Sequence, residues 1–219
     1  MITVYHGSNI EIPKPSLKYG RADTDFGAGF YVTESYEMAE KWACRKGVSI
    51  INEYQFDISD LNGYDFGLDE KWLNFVISNR NEESSKIDTS QYDYIRGATA
   101  DDKLFSTIEQ YENGFISQET AIKVLNCMKV GSQICIKSEK GLECLHYVGR
   151  TSPSDTRKLE IQKQNKEERK LANLRAKEII QQSNKPSISS HRFDSALSLT
   201  SNIQGIKIDK SDITDLYNK

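Results

Sequence analysis

No stretch of this 219-residue chain is long and apolar enough to span a bilayer. The opening residues, Met1 to His6, carry no basic region, no signal-length apolar run and no cleavage site. A cytoplasmic protein without a membrane partner is expected. Cysteine is scarce: Cys44, Cys127, Cys135 and Cys144 are scattered without metal-ligand spacing, and the three histidines stand far apart. Reduced thiols and no bound metal are expected. There is no internal repeat, and no single sign of charge dominates. Residues 1–153 hold 16 Lys/Arg against 23 Asp/Glu, net −7, and residues 154–219 hold 13 against 9, net +4, giving −3 in all. A field of this kind does not mark the main body as a binder of duplex nucleic acid, because phosphate contacts need Lys and Arg.

What is present suffices for a core. With 37% hydrophobic and 10% aromatic residues, one globular domain with added segments is expected. Thr3-Val4-Tyr5 is a β-rich run that opens onto His6-Gly7-Ser8, and Pro13 and Pro15 stop regular structure beyond it. Residues 25–42 read as loop, strand and helix, with Phe30-Tyr31-Val32 as the strand and Ser35 as the helix cap. Residues 48–56 form a second strand candidate, closed by turn-forming residues 57–63. Helices are expected over 69–80 and 101–130, the second broken at Asn113-Gly114 and restarted at Ser117, and strands at 134–136 and 142–148. Short strands alternating irregularly with helices predict an α+β fold of two small, facing, mainly antiparallel sheets with flanking helices.

The domain is expected to close near Arg150, giving a ligand-binding domain over 1–150 and a charged tail over 151–219. Residues 154–185 have helix-forming composition and few apolar anchors, so a solvent-exposed helix that binds a partner, and is dispensable for activity, is expected there. Residues 183–202 are Ser/Asn-rich, and 203–217 form a strand or dock weakly.

Two glycine-containing motifs carry chemistry. Tyr5-His6-Gly7-Ser8 sets an imidazole, a residue without a side chain and a hydroxyl at a strand end. Glycine lets a planar amide approach the backbone, and the imidazole and hydroxyl can hold ligand hydroxyls. Phe26-Gly27-Ala28-Gly29-Phe30-Tyr31 follows at a compatible distance. Tyr31 offers a rigid π-face, and Trp42 on the next helix is either a second wall or an ordinary core aromatic.

With these motifs the chain resembles the ADP-ribosyltransferase superfamily, in the branch of the poly(ADP-ribose) polymerases and diphtheria toxin. The closer likeness is to an uncharacterised bacterial family often found in toxin–antitoxin or phage-defence neighbourhoods. It extends to Tyr92-Asp93-Tyr94-Ile95-Arg96-Gly97 and Ala100-Asp101-Asp102, and covers about residues 2–148. The resemblance implies a split β-sandwich that binds NAD through His6, Gly7, Ser8, Phe26, Gly27, Gly29, Tyr31 and Trp42. His6 would contact the adenosine-side ribose, Gly7 the nicotinamide amide, Ser8 the amide or its ribose, and Tyr31 the ring. The superfamily's third key residue is usually a glutamate opening a late strand, and Gln133 of Ser132-Gln133-Ile134-Cys135-Ile136 takes that place here. Glutamine can hydrogen-bond a ribose but supplies neither negative charge nor a general base. The other sources of charge are Glu139, and Asp101 and Asp102, whose other reading is helix capping.

The catalytic set expected from the resemblance is therefore His6, Tyr31 and Gln133, with Asp101, Asp102 and Glu139 as additional candidates and no metal. The implied activity is a mono-ADP-ribosyltransferase toxin that passes ADP-ribose from NAD to a protein or nucleic-acid acceptor and releases nicotinamide. A cognate antitoxin is the implied partner. An NAD glycohydrolase and a catalytically silent NAD- or partner-binding module are the alternatives.

Overall fold

A computed structural model describes residues 1–45, 47–81, 87–100, 102–126 and 131–183 of the chain, all within one compact unit, Met1–Ser183. Its first half runs β1 (Ile2–Ser8), a 3₁₀ turn (Leu17–Tyr19), β2 (Phe30–Val32), α1 (Tyr36–Ala43), β3 (Ile50–Phe56), β4 (Gly63–Asp65) and α2 (Glu70–Arg80). The second half runs β5 (Tyr94–Ala98), α3 (Asp102–Glu112), α4 (Gln118–Asn126), β6 (Ser132–Ile136), α5 (Glu139–Glu143), β7 (Leu145–Thr151) and α6 (Asp155–Ser183). Caps foreseen from sequence are in place. The Ser35 hydroxyl accepts from the Met38 N–H and opens α1, and Ser117 accepts from the Thr120 N–H just before α4.

The fold is α+β, with two open, mostly antiparallel sheets and, among the described residues, six α-helices. One sheet has the order β1-β3-β7 and the other β2-β6-β5-β4, in which only β4 and β5 run parallel. The period of two in a strand assigns the faces. Ile134 and Ile136 of β6 pack with Phe30 and Val32 of β2 and with Val4, Tyr54 and Phe56 of the other sheet. Cys135 turns the opposite way, into a second core with Phe26, Trp72, Phe75 and Ile95. Gln133 and Tyr31 alternate onto that second side. The sheets meet where Tyr5 and Thr33 exchange backbone hydrogen bonds of 2.8 and 2.9 Å. His6 and Tyr31 sit beside this bridge.

Two regions depart from expectation. The strand expected at 142–148 is displaced: Ser138 accepts from the Gly141 N–H and nucleates the short helix α5, so the strand begins only at Leu145. The central strand β5 carries an arginine and a glycine, and its edge partner β4 is three residues long, so neither shows a strand pattern. No helix of the described residues is long and apolar enough to cross a membrane.

The helix expected over 154–185 forms as α6 and is mostly exposed, and it lies in the same compact unit as residues 1–153. Its anchors are mostly polar. The Arg157 guanidinium donates to both carboxylate oxygens of buried Glu40 on α1 at 3.2 and 2.9 Å. Gln162 donates to the Cys44 carbonyl at 2.9 Å, and Lys41 pairs with Glu168 at 3.3 Å. Ile161 and Ala176 are its buried apolar residues, and Ile180 packs partly buried against the core around Phe26 and Trp72. Hydrophobic periodicity is blind to such docking. A chain ending at Ser183 keeps all of these anchors. A chain ending at residue 153 should melt about 10 °C lower or fail to fold, because burial of Ile161 alone is worth about 2–4 kcal/mol. Paired thermal melts of the two truncations check this.

Candidate functional site

A cleft of ≈ 550 Å³ opens beside the β1–β2 bridge, and its lining draws on positions spread over most of the folded unit. His6 and Gly7 come from β1, Tyr31 from β2, Trp42 from α1, Gln133 from β6 and Arg80 from the end of α2. Volume and mixed lining are those of a small-molecule site. The three residues expected to act together, His6, Tyr31 and Gln133, all line it, as do Gly7 and Trp42.

His6 is held in one protonation state. Its Nδ1–H donates to the Tyr31 carbonyl at 2.6 Å, and a carbonyl can only accept, so the proton resides on Nδ1. The ring stacks on Phe30 with centroids 4.6 Å apart. Burial lowers its pKa from the usual 6.5, opposed by the Tyr31 carbonyl, which keeps the imidazole neutral. Nε2 is then a bare lone pair, suited to accept from a hydroxyl. The two sequence motifs are thus joined by a single hydrogen bond. The depressed pKa also makes a prediction for stability. The unfolded chain binds the His6 proton more readily, so stability present above pH ~6.5 is lost as pH falls through the folded-state value. Thermal melts between pH 5 and 8 should show a smaller acid loss in His6→Asn than in the wild-type chain.

Tyr31 is tied at its hydroxyl. It accepts from the Phe26 N–H at 3.0 Å, donates to the Gly27 carbonyl at 2.8 Å and meets the Thr24 hydroxyl at 2.8 Å. Burial drives its pKa far up, so the phenol stays protonated and only the ring is offered to a ligand. The same bonds shape the loop before β2. Gly27 has φ +71°, and a Cβ on Gly29 would lie 2.4 Å from the Cys135 sulfur and 2.6 Å from the Ile136 carbonyl. Phe26 is wholly buried. Phe26, Gly27 and Gly29 therefore build the wall from behind and do not line the cleft. Beneath Tyr31, burial pushes the Cys135 thiol up to about 11, which leaves it an inert core group.

The remaining expected residues lie elsewhere. Ser8 is engaged with the neighbouring loop: its hydroxyl donates to the Ile10 carbonyl and accepts from the Asn52 side-chain amide at 3.2 Å. Asn52 is buried and also accepts from the Ile12 N–H at 2.8 Å. Glu139 is exposed in the first turn of α5, outside the cleft lining. Asp101 and the side chain of Asp102 lie outside the described residues.

Sequence reasoning missed the polar centre of the cleft. Asp25, only 9% exposed, accepts from Arg80 Nε and Nη2 at 3.0 and 2.6 Å through Oδ1, and from the Ala100 N–H and Gln133 Nε2 at 2.7 Å each through Oδ2. Its one local signal was a carboxylate directly before Phe26-Gly27-x-Gly29. Arg80 stands at the last position of α2, where a cation ordinarily complements the helix dipole. Arg21 and Arg45 add exposed cations to the lining. Arg21 is paired with Asp23 at 3.3 Å, whereas Arg45 makes no ion pair among the described residues.

Over residues 2–147, more than half of the chain, the sequence matches the family described as "Protein of unknown function (DUF3990)", and the chain belongs to that family. No curated protein and no solved structure matches it.

Proposed function

We propose that this member of the DUF3990 family is a mono-ADP-ribosyltransferase that takes NAD as its substrate. The two-sheet frame is read as the split β-sandwich of that superfamily. One observation carries the reading: His6, Tyr31 and Gln133, picked out from three separate segments, line one cleft of dinucleotide scale. In support, neutral His6 offers Nε2 to a ribose hydroxyl. Gln133, whose nitrogen is engaged by Asp25, offers Oε1 to another. The Tyr31 and Trp42 rings are walls for a flat heterocycle, and Arg45 is a cation complementary to a diphosphate.

In the proposed reaction the bond between the nicotinamide nitrogen and ribose C1′ breaks. Its electron pair leaves with nicotinamide, which departs neutral. A nucleophile on the macromolecular acceptor then bonds to C1′ and gives its proton to solvent. The chain contributes positioning and polar complementarity to positive charge developing on the ribose. In a toxin–antitoxin or phage-defence setting, expression without an antitoxin would slow growth.

The test is incubation of the full chain with cell extract and NAD labelled in its adenylate half. Nicotinamide release with label in protein or nucleic acid supports transfer. Release with label only in free ADP-ribose replaces transfer by hydrolysis, and no release overturns the NAD reading.

A further inference from the structure

We propose that Asp25 is the positioning residue for Gln133: it holds the side-chain amide with nitrogen inward and oxygen toward the cleft, so that Gln133 meets the substrate ribose as an acceptor. This rests on the NAD reading above. A glutamine amide is two-faced, since turning it by half exchanges a donor for an acceptor at nearly the same place. Here one face is already chosen. The Asp25 carboxylate can only accept, and Gln133 Nε2 donates to its Oδ2 at 2.7 Å. The turned amide would set two lone-pair oxygens against each other. Oε1 has no partner among the described residues, and Gln133 lines the cleft.

The carboxylate also changes the amide it holds. An N–H bonded to an anion passes electron density through the amide to its oxygen, which makes Oε1 a stronger acceptor. Asp25 thereby lends the neutral Gln133 part of the negative character that a glutamate would bring. Burial of that charge is supported by the Arg80 guanidinium at 2.6 Å and by the Ala100 N–H. With four donors on its two oxygens, Asp25 is saturated and is not placed to take a proton from an acceptor group. Its role is to orient.

The hub is held by the chain's own groups. Asn79 donates to the Asp25 carbonyl at 3.2 Å, Lys137 donates to the Phe26 carbonyl at 2.7 Å, and Tyr31 ties residues 26 and 27. The Asp25 carbonyl and the two residues that follow are thus pinned, which fixes the backbone carrying the carboxylate, as preorganisation requires.

A reciprocal exchange tests the proposal. Asp25→Asn keeps the shape but lets the amide at 133 turn, and kcat for nicotinamide release should fall about 10- to 100-fold with a much smaller change in KM for NAD. Gln133→Glu alone sets two carboxylates together, and its release should also fall at neutral pH. Combining Asp25→Asn with Gln133→Glu moves the donor to position 25 and the acceptor to 133 and again turns an oxygen to the cleft, at the expense of the Ala100 N–H, which loses its acceptor at the Oδ2 position. The combined variant should release nicotinamide at least about 10-fold faster than either single variant. A purely structural Asp25 predicts the opposite, since the second change would add to the damage. If Asp25→Asn alone does not fold, the comparison of Gln133→Glu with the combined variant decides the matter in the same direction. Wild-type kcat in folded Asp25→Asn, or no recovery in a combined variant that melts like the wild-type chain, overturns the positioning role while leaving the NAD reading intact. Absence of release by the wild-type chain overturns the NAD reading and this role with it.

Discussion

Alanine at position 7 should cost the protein more than ~3 kcal/mol, a drop in Tm of about 10 °C or failure to fold. A Cβ there would lie 2.1 Å from the Ala39 carbonyl oxygen, 2.7 Å from the Ala43 nitrogen and 2.9 Å from the Trp42 Cβ. Two of these three are backbone atoms of α1, which no rotamer change can move. Sliding α1 outward would uncover Ala39, Ala43 and Ile51, which are buried together. It would also strain the Glu40–Arg157 fork that fastens α6. Gly149→Ala is the matched control: it is also in a strand, has nothing within 4 Å of the added Cβ, and should stay within about 0.5 kcal/mol of wild type. Thermal melts of both variants check the pair. A Gly7→Ala melt equal to that of Gly149→Ala would show that α1 does not press on β1 as described. The glycine of the first motif thus has a packing reason of its own, and whatever Gly7 offers a ligand is offered by its backbone.

Removal of the His6 imidazole should lower kcat/KM for nicotinamide release by at least about 100-fold. His6→Ala deletes the Nε2 acceptor and the Nδ1–H that donates to the Tyr31 carbonyl at 2.6 Å. It also deletes the ring stacked on Phe30. The first loss is chemical. The others loosen the join between the two motifs and should lower stability by only about 1–2 kcal/mol, since the ring is partly exposed and one hydrogen bond is modest in net worth. His6→Asn can still donate to the Tyr31 carbonyl while lacking an acceptor at the Nε2 position. It should recover the share of stability that the hydrogen bond supplies and not the activity. Nicotinamide release at equal folded concentration, with melts alongside, separates the contributions. Wild-type turnover in folded His6→Ala would remove His6 from the chemistry and leave it as a brace between β1 and β2. Tyr31 is less suited to truncation, because its hydroxyl shapes residues 24–27. Loss of activity in Tyr31→Ala would not distinguish a missing ring from a collapsed loop.

The sequence by itself determined what depends on near neighbours. Strands β1, β2, β3 and β6, helices α1 and α4 with their Ser caps, helix α2, and the irregular alternation that makes the fold α+β all follow from periodicity and capping over a few residues. His6, Tyr31 and Gln133 were singled out because the motifs around them resemble a family, and the three line one cleft. Tertiary structure alone decided the rest. Asp25 meets Arg80 across 55 positions and Gln133 across 108, Arg157 meets Glu40 across 117, and Gly7 is squeezed by the backbone of α1. A carboxylate in a loop, an arginine ending a helix and a charged helix with few apolar anchors have the same local appearance whether solvated or buried. Their partners are set by how the sheets and helices close on one another, and no window along the chain contains that information.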